Sequence, residues 1–103
     1  MNAGSFAQAV LRAVIAADER ASFLTARPHG KTAVIGFLDD GEWVPVFRIT
    51  GGSGAYNVAS LQVRHRTTWQ PTLVRGVPAA VAEQLIGPLR FLWEQHAHYS
   101  QPW

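Results

Sequence analysis

The stretch that decides the fold is residues 43–82, WVPVFRITGGSGAYNVASLQVRHRTTWQPTLVRGVPAAVA. Apolar and polar residues alternate along most of it, which is the pattern of strands whose side chains face two sides of a sheet. All seven acidic residues of the chain lie outside this stretch, whereas four arginines lie inside it: Arg48, Arg64, Arg66 and Arg75. The stretch therefore predicts strand segments whose only formal charges are positive.

Turn signals divide this stretch and the residues before it into strands. The predicted strands cover, in order, residues 22–27, 31–38, 42–50, about 55–65 and about 67–74. Asp39-Asp40-Gly41 predicts a hairpin turn, because glycine supplies the positive φ that such turns need. Pro45 lacks an N–H, so the third strand must either lie at an edge or contain a bulge. Pro71 predicts an edge position for the fifth strand.

Helices are predicted at both ends of the chain. Ser5 to Gln8 fits a capping box, and apolar residues recur behind it at helical spacing, so the first helix is expected over 5–20. Pro78 suits the first turn of a second helix, whose inward stripe includes Trp93, and Gly87-Pro88 should kink or break that helix. The sequence thus predicts a single α+β domain over 1–103: a two-layer sandwich with an antiparallel sheet of 4–5 strands and both helices on one face.

Composition excludes several classes of protein. The chain has no cysteine, which rules out disulfides, thiolate zinc sites and a cysteine nucleophile. No apolar run approaches the roughly 20 residues of a membrane helix. The apolar residues 6–17 lack a preceding basic segment and run into Asp18-Glu19-Arg20, unlike a signal peptide. We therefore expect a cytoplasmic protein with no membrane association.

Strict alternation divides the predicted strands into a covered side and an open side. In the third strand Phe47 and Ile49 fall on the covered side, and the same parity places Trp43 with them, opposite to Arg48. Cations interleaved with flat rings on an open face are typical of a surface for a polyanion with stackable bases. The predicted nucleic-acid-binding residues are Arg48, Tyr56, Gln62, Arg64, Arg66, Trp69 and Arg75. An ordinary solvated face, covered by arginine stems, fits the same pattern.

Residues 63–77, VRHRTTWQPTLVRGV, carry a family resemblance. This run resembles the end of the sheet in positive-cofactor-four-type transcriptional coactivators, which bind single-stranded DNA. There a strand ending in a basic residue leads to a Trp-x-Pro-like hairpin and a Gly-Ile or Gly-Val step into a long helix. The resemblance covers about 58–93 and implies that Arg64, Arg66, Trp69 and Arg75 lie on or near the single-strand-binding ridge. The family's lysine-rich ridge is absent, since Lys31 is the only lysine, and an N-terminal helix is not part of the usual pattern.

The sequence contains no complete motif for catalysis or for cofactor binding. The loop Gly51-Gly52-Ser53-Gly54 lacks the Gly-Lys-Ser/Thr of a phosphate loop. His96 and His98 are two residues apart on a helix and point to different faces; Glu94 and His98 could share an ion but lie at a fraying end. His65 has no neighbouring carboxylate to orient it as a general base. We therefore expect no enzyme, no metal and no cofactor.

Two functions remain in view. The first is non-catalytic binding of nucleic acid, single-stranded, across the open sheet face. The alternative is a protein–protein interaction module, such as an assembly subunit or an inhibitor of another protein. Its surface could be the same face, an edge strand, or a C-terminal segment with Trp93, Tyr99 and Trp103. A homodimer through an edge strand or the C-terminal helix is also expected, because the fourth or fifth strand could offer an unpaired edge. Such pairing would double the cationic surface.

Overall fold

A computed structural model describes residues 1–52, 54 and 56–100, with side chains described as far as Ala97. The elements in chain order are α1 (Ala3–Ala17), a short 3-10 turn (Glu19–Phe23), β1 (Thr25–His29), β2 (Thr32–Asp39), β3 (Glu42–Gly51), β4 (Ala59–His65), β5 (Thr68–Gly76), α2 (Pro78–Ile86) and α3 (Arg90–Ser100). The predicted α+β class, with helices at both ends of an antiparallel sheet, is confirmed.

Helix α1 begins earlier than its apolar pattern indicated. Asn2 is its N-cap, and the Asn2 side-chain oxygen accepts a hydrogen bond from the Ser5 N–H at 2.8 Å. The predicted capping box with Ser5 as N-cap is therefore wrong. The helix ends at Ala17 and not at residue 20, because Asp18 is extended and the chain then forms the 3-10 turn.

The five strands form one antiparallel sheet in the order β1-β2-β3-β4-β5, each paired with its neighbours in sequence. Asp39 pairs with Glu42 across a two-residue turn in which Asp40 has φ 52° and Gly41 has φ 84°, as the turn signal predicted. Pro71 lies in β5, an edge strand, which confirms its prediction.

Pro45 lies in the central strand β3, so of the two predicted alternatives the bulge is the one found. The pairing of β2 with β3 shifts between Ile35, opposite Phe47, and Gly36, opposite Pro45. Val46 is the extra residue on β3. A bulge of this kind reverses the side-chain parity of the strand beyond it.

The helices cover one face of the sheet, and the core lies between the two layers. Helix α1 packs on β1, β2 and β3, whereas α2 packs on α1 and β5. Fully buried side chains from the two layers meet in this core: Phe6, Val10 and Val14 from α1, Ala33, Ile35, Phe47, Ile49 and Leu61 from the sheet, and Val81, Leu85 and Trp93 from the C-terminal helices. The opposite face of the sheet remains open.

The predicted break at Gly87-Pro88 separates α2 from α3. Pro88 has no N–H for the Gln84 carbonyl, which accepts instead from Leu89 N at 2.8 Å. The Leu85 carbonyl thereby loses its helical donor, and the indole N–H of Trp93 donates to it at 2.8 Å. A fully buried tryptophan thus closes the broken helix end.

An ion-pair cluster ties the end of α1 to α3. Asp18 accepts hydrogen bonds from Arg20 and from the Nη1 of Arg90, and Glu94 lies 3.1 Å from the Nη2 of Arg20. The Asp18 side chain is only 12% exposed. Hydrogen bonding from the Arg20 guanidinium holds the pKa of Asp18 well below its usual range, with Arg90 acting in the same direction against the cost of burial.

Candidate nucleic-acid interface

Strand register defines which side chains share the open face, because directly paired residues of antiparallel strands project to the same side. Arg48 pairs with Gln62, and Arg64 pairs with Trp69. Arg75 pairs with Ser60, a neighbour of Gln62 on the same face. Five of the seven predicted residues therefore lie together: Arg48, Gln62, Arg64, Trp69 and Arg75.

A bulge in β5 lies between Trp69 and Arg75 without separating their sides. Pro71 pairs with Gln62 and Arg75 pairs with Ser60, so three residues, 72–74, stand opposite Leu61 alone. The Thr72 hydroxyl donates to the Leu61 carbonyl at 2.7 Å and accepts from Val74 N at 3.0 Å, which stabilises the bulge. Two extra residues preserve the parity, so Arg75 returns to the open face.

Two arginines pack against the indole ring of Trp69. The guanidinium carbon of Arg64 lies 5.0 Å from the ring centroid, and that of Arg48 lies 5.1 Å from it. Both distances are within the range of cation–π attraction. Trp69 therefore fixes the positions of two cations from neighbouring strands.

Hydrogen bonds at Nε fix these two guanidinium groups further. Arg48 Nε donates to Gln62 Oε1 at 3.1 Å, and Arg64 Nε donates to the Arg66 carbonyl at 3.1 Å. Gln62 Oε1 also accepts from the Thr50 hydroxyl at 2.7 Å, which orients the amide. With each Nε engaged, the terminal Nη groups are left to contact solvent or a ligand.

Two predicted residues lie off the sheet face. Tyr56 belongs to the connection before β4, which begins at Ala59 and not near residue 55; Asn57 adopts φ 51° and interrupts the extended chain. The placement of Tyr56 on a strand is therefore wrong, although the residue is 86% exposed. Arg66 occupies the turn between β4 and β5 with φ 57°, so it flanks the face at the end of the hairpin.

Sequence reasoning missed Arg27 and Trp43. The bulge at Val46 reverses the parity beyond it, so Trp43 pairs with Leu38 on the open side and Val44 turns to the core. The Arg27 guanidinium carbon lies 4.0 Å from the Trp43 ring centroid. Pro45 was the available signal in the sequence. A bulge near Pro45 moves the side chains that precede it to the opposite face from the one that strict alternation predicts.

Gly36 makes room for this second stack. A Cβ on Gly36 would lie 3.0 Å from Cζ2 of Trp43 and would overlap the Val44 carbonyl. The indole therefore reaches across β2 toward β1 only because the residue beneath it has no side chain.

The charge of the open face has a single sign. Among the described strand residues, those that the register places on it include Arg27, Arg48, Arg64 and Arg75 and no acid. The ion pairs found in the described part of the chain are made by Asp18 and Glu94, away from this face. Like charges on neighbouring strands repel, so an anionic ligand would relieve an existing cost.

The described histidines and acids do not form a metal-binding cluster. Within residues 1–52, 54 and 56–97, whose side chains are described, no three histidine or acidic side chains come close enough to hold a metal ion. His96 packs on Phe37 with 4.9 Å between ring centroids, and burial lowers its pKa while Asp39 opposes the shift. Glu94 is engaged with Arg20 and Arg90, and the His98 side chain lies outside the described residues.

The C-terminal segment offers less surface than the sequence suggested. Trp93 is fully buried and is unavailable to a partner. Tyr99 and Trp103 fall outside the described side chains. In the part of the chain that the structure describes, no helix combines the length and apolar character needed to span a membrane.

Comparisons with known proteins found no relative. No family model matches the chain, and searches of curated proteins and of solved structures found no match either. The resemblance over about 58–93 therefore stays a prediction from the sequence.

Proposed function

We propose that this protein binds single-stranded nucleic acid across the open sheet face, without catalysis. The observation that carries the proposal is the group formed by Arg48, Arg64 and Trp69, in which two guanidinium groups are held by ring contacts and by Nε hydrogen bonds. Held in this way, they lose less conformational freedom on binding than free side chains would.

Phosphate is the group that this arrangement fits. A guanidinium presents its N–H donors in a planar fork that matches two oxygens of a phosphate. With no acid on the face among the described strand residues, these forks have no described internal anion to compete with a ligand. Arg75, on the same face, extends the positive surface toward β5.

A single strand is favoured over a duplex because the face also provides flat partners for bases. Exposed bases stack on aromatic rings and on guanidinium planes, whereas a duplex hides its base faces within its own stack. Trp69 with Arg48 and Arg64 forms such a platform. Tyr56, exposed in the loop before β4, supplies a second ring beside the sheet for the same purpose.

The test is fluorescence anisotropy of a labelled single strand over a series of salt concentrations. Each phosphate contact adds about −0.7 to the slope of log K against log salt, so three or four arginines predict about −2 to −3. Arg64→Gln should weaken binding to all sequences and make the slope shallower by about 0.7. Tyr56→Ala should lose about 1–3 kcal/mol with the slope unchanged, since a ring releases no counterion.

The matched control is Arg12→Gln, which removes the same charge from an exposed position on α1, in the other layer of the sandwich. It should leave both affinity and slope nearly as they are in the wild type. If the wild type binds no single strand even at low salt, the proposal fails. If Arg12→Gln weakens binding as much as Arg64→Gln, the assignment of the face fails.

A protein partner is the second candidate, supported by exposed apolar side chains beside the edge strand. Leu73 is fully exposed on the β5 bulge, and Val77 just beyond the strand is 44% exposed. Exposed apolar side chains mark a contact surface where they form a continuous patch, which a partner would cover. This candidate predicts negligible oligonucleotide binding together with loss of complex formation in Leu73→Ser.

A further inference from the structure

Arg27 and Trp43 repeat on the other half of the sheet the arrangement found at Trp69. Their stack is the tighter one, at 4.0 Å from guanidinium carbon to ring centroid. Arg27 is exposed on the edge strand β1. The Trp43 indole lies beneath Arg27, in space that the missing side chain of Gly36 leaves open. The Arg27 guanidinium lies over the Trp43 ring, and because Arg27 is exposed it remains accessible to a ligand.

A row of paired residues connects the two stacks. Val34 pairs with Arg27 on one side and with Arg48 on the other, and Arg48 pairs in turn with Gln62. Arg27 and Arg48 are thus two strands apart, which is about 10 Å at the usual strand spacing. No charged residue stands between them in this row. The positive surface therefore continues from β5 to β1.

We propose that Arg27 and Trp43 form a second subsite for the same single strand, which crosses all five strands of the sheet. A base stacks on the outer face of the Arg27 guanidinium, and a neighbouring phosphate accepts from its N–H groups. This inference rests on the proposed function and adds the length of the ligand. Four strand spacings are about 19 Å. At the rise of about 3.4 Å per nucleotide of a duplex strand, about six nucleotides cover that distance, and a strand whose bases stack on the protein covers it with fewer.

The test compares oligothymidylates of about 3 and about 8 nucleotides, lengths below and above this span. The wild type should bind the longer strand more tightly by at least about fivefold, the lower end of what one stacked base contributes. Arg27→Gln and Trp43→Leu should each remove this gain and leave the 3-nucleotide affinity within about twofold, because the Trp69 stack remains for the short strand. Urea midpoints establish that each variant is folded. If Trp43→Leu is destabilised, Arg27→Gln carries the test alone, because Arg27 is exposed and its replacement should leave the fold intact.

The outcomes separate this inference from the function on which it rests. If the wild type binds the longer strand better and both variants keep that gain, the second subsite is refuted and the proposed function stands. If the wild type binds both lengths equally well, the second subsite is refuted as well. If the wild type binds neither length at low salt, the proposed function fails, and the subsite fails with it.

Discussion

Replacing Trp93 with phenylalanine removes the hydrogen bond that closes the broken end of α2 and keeps an aromatic ring in the core. The indole N–H donates to the Leu85 carbonyl at 2.8 Å, and both residues are fully buried. Pro88 makes this donor necessary, because its missing N–H diverts Leu89 to the Gln84 carbonyl. Trp93→Phe should leave the Leu85 carbonyl without its donor, at a cost of about 1–3 kcal/mol in the free energy of unfolding.

Trp93→Ala removes the packing together with the hydrogen bond. Deleting a buried aromatic ring costs about 3–5 kcal/mol, so the alanine variant should be clearly less stable than the phenylalanine variant. A domain of this size has a total stability of about 5–15 kcal/mol, so Trp93→Ala should remove a substantial part of it. The matched control is Phe91→Ala on the same helix, whose ring is 63% exposed. That change should stay within about 0.5 kcal/mol of the wild type.

Urea denaturation followed by far-ultraviolet circular dichroism measures these differences, because a shift in midpoint at constant m reports stability. The order of stability should be wild type and Phe91→Ala, then Trp93→Phe, then Trp93→Ala. If Trp93→Phe proves as stable as the wild type, the hydrogen bond does not hold the helix end and the reasoning from Pro88 is refuted.

Three further predictions concern pH and turns. Burial places the pKa of His96 below its ordinary 6.5, so the unfolded state takes up a proton before the folded state does as the pH falls. The urea midpoint of the wild type should therefore decrease as the pH falls below about 6.5, and His96→Leu should make that decrease smaller. Because the pKa of Asp18 is lowered from its ordinary 3.8, Asp18 stabilises the fold above that pH, and this stabilisation is lost as the pH falls further. At neutral pH Asp18→Asn should lower the urea midpoint more than Glu94→Gln does, and equal urea midpoints for the two variants would contradict this. Gly41→Ala should cost about 1–2 kcal/mol by calorimetry because of its φ of 84°, whereas Gly54→Ala should be nearly neutral.

Local chemistry made the order of elements predictable. The two-residue turn at Asp40-Gly41 and the helix break at Gly87-Pro88 are where the sequence places them. Each follows from the backbone of one or two residues, since glycine accepts positive φ and proline lacks an N–H. The absence of acids over 43–82 was likewise visible without coordinates.

The face of the sheet on which each side chain lies was less predictable, because it was assigned by alternation along the predicted strands. Arg48, Gln62 and Arg64 lie where regular alternation puts them, because the described pairing of β3 with β4 is uninterrupted. Tyr56 does not lie on the predicted strand, because β4 begins at Ala59, three residues after it. An extended chain needs a paired neighbour, and sequence alone does not say where pairing begins.

The sequence by itself thus determined the α+β class, the order of the elements along the chain and the sign of charge in its middle, because these depend on residue types and on short-range backbone preferences. The tertiary structure alone decided that Trp43 lies on the open face with Arg27 and that Trp93 closes a helix end inside the core. The first depends on one extra residue in β3 opposite Gly36, and a shift of one residue moves a side chain to the other face. The second depends on where a donor 8 residues along the chain comes to lie once two helices have packed on the sheet.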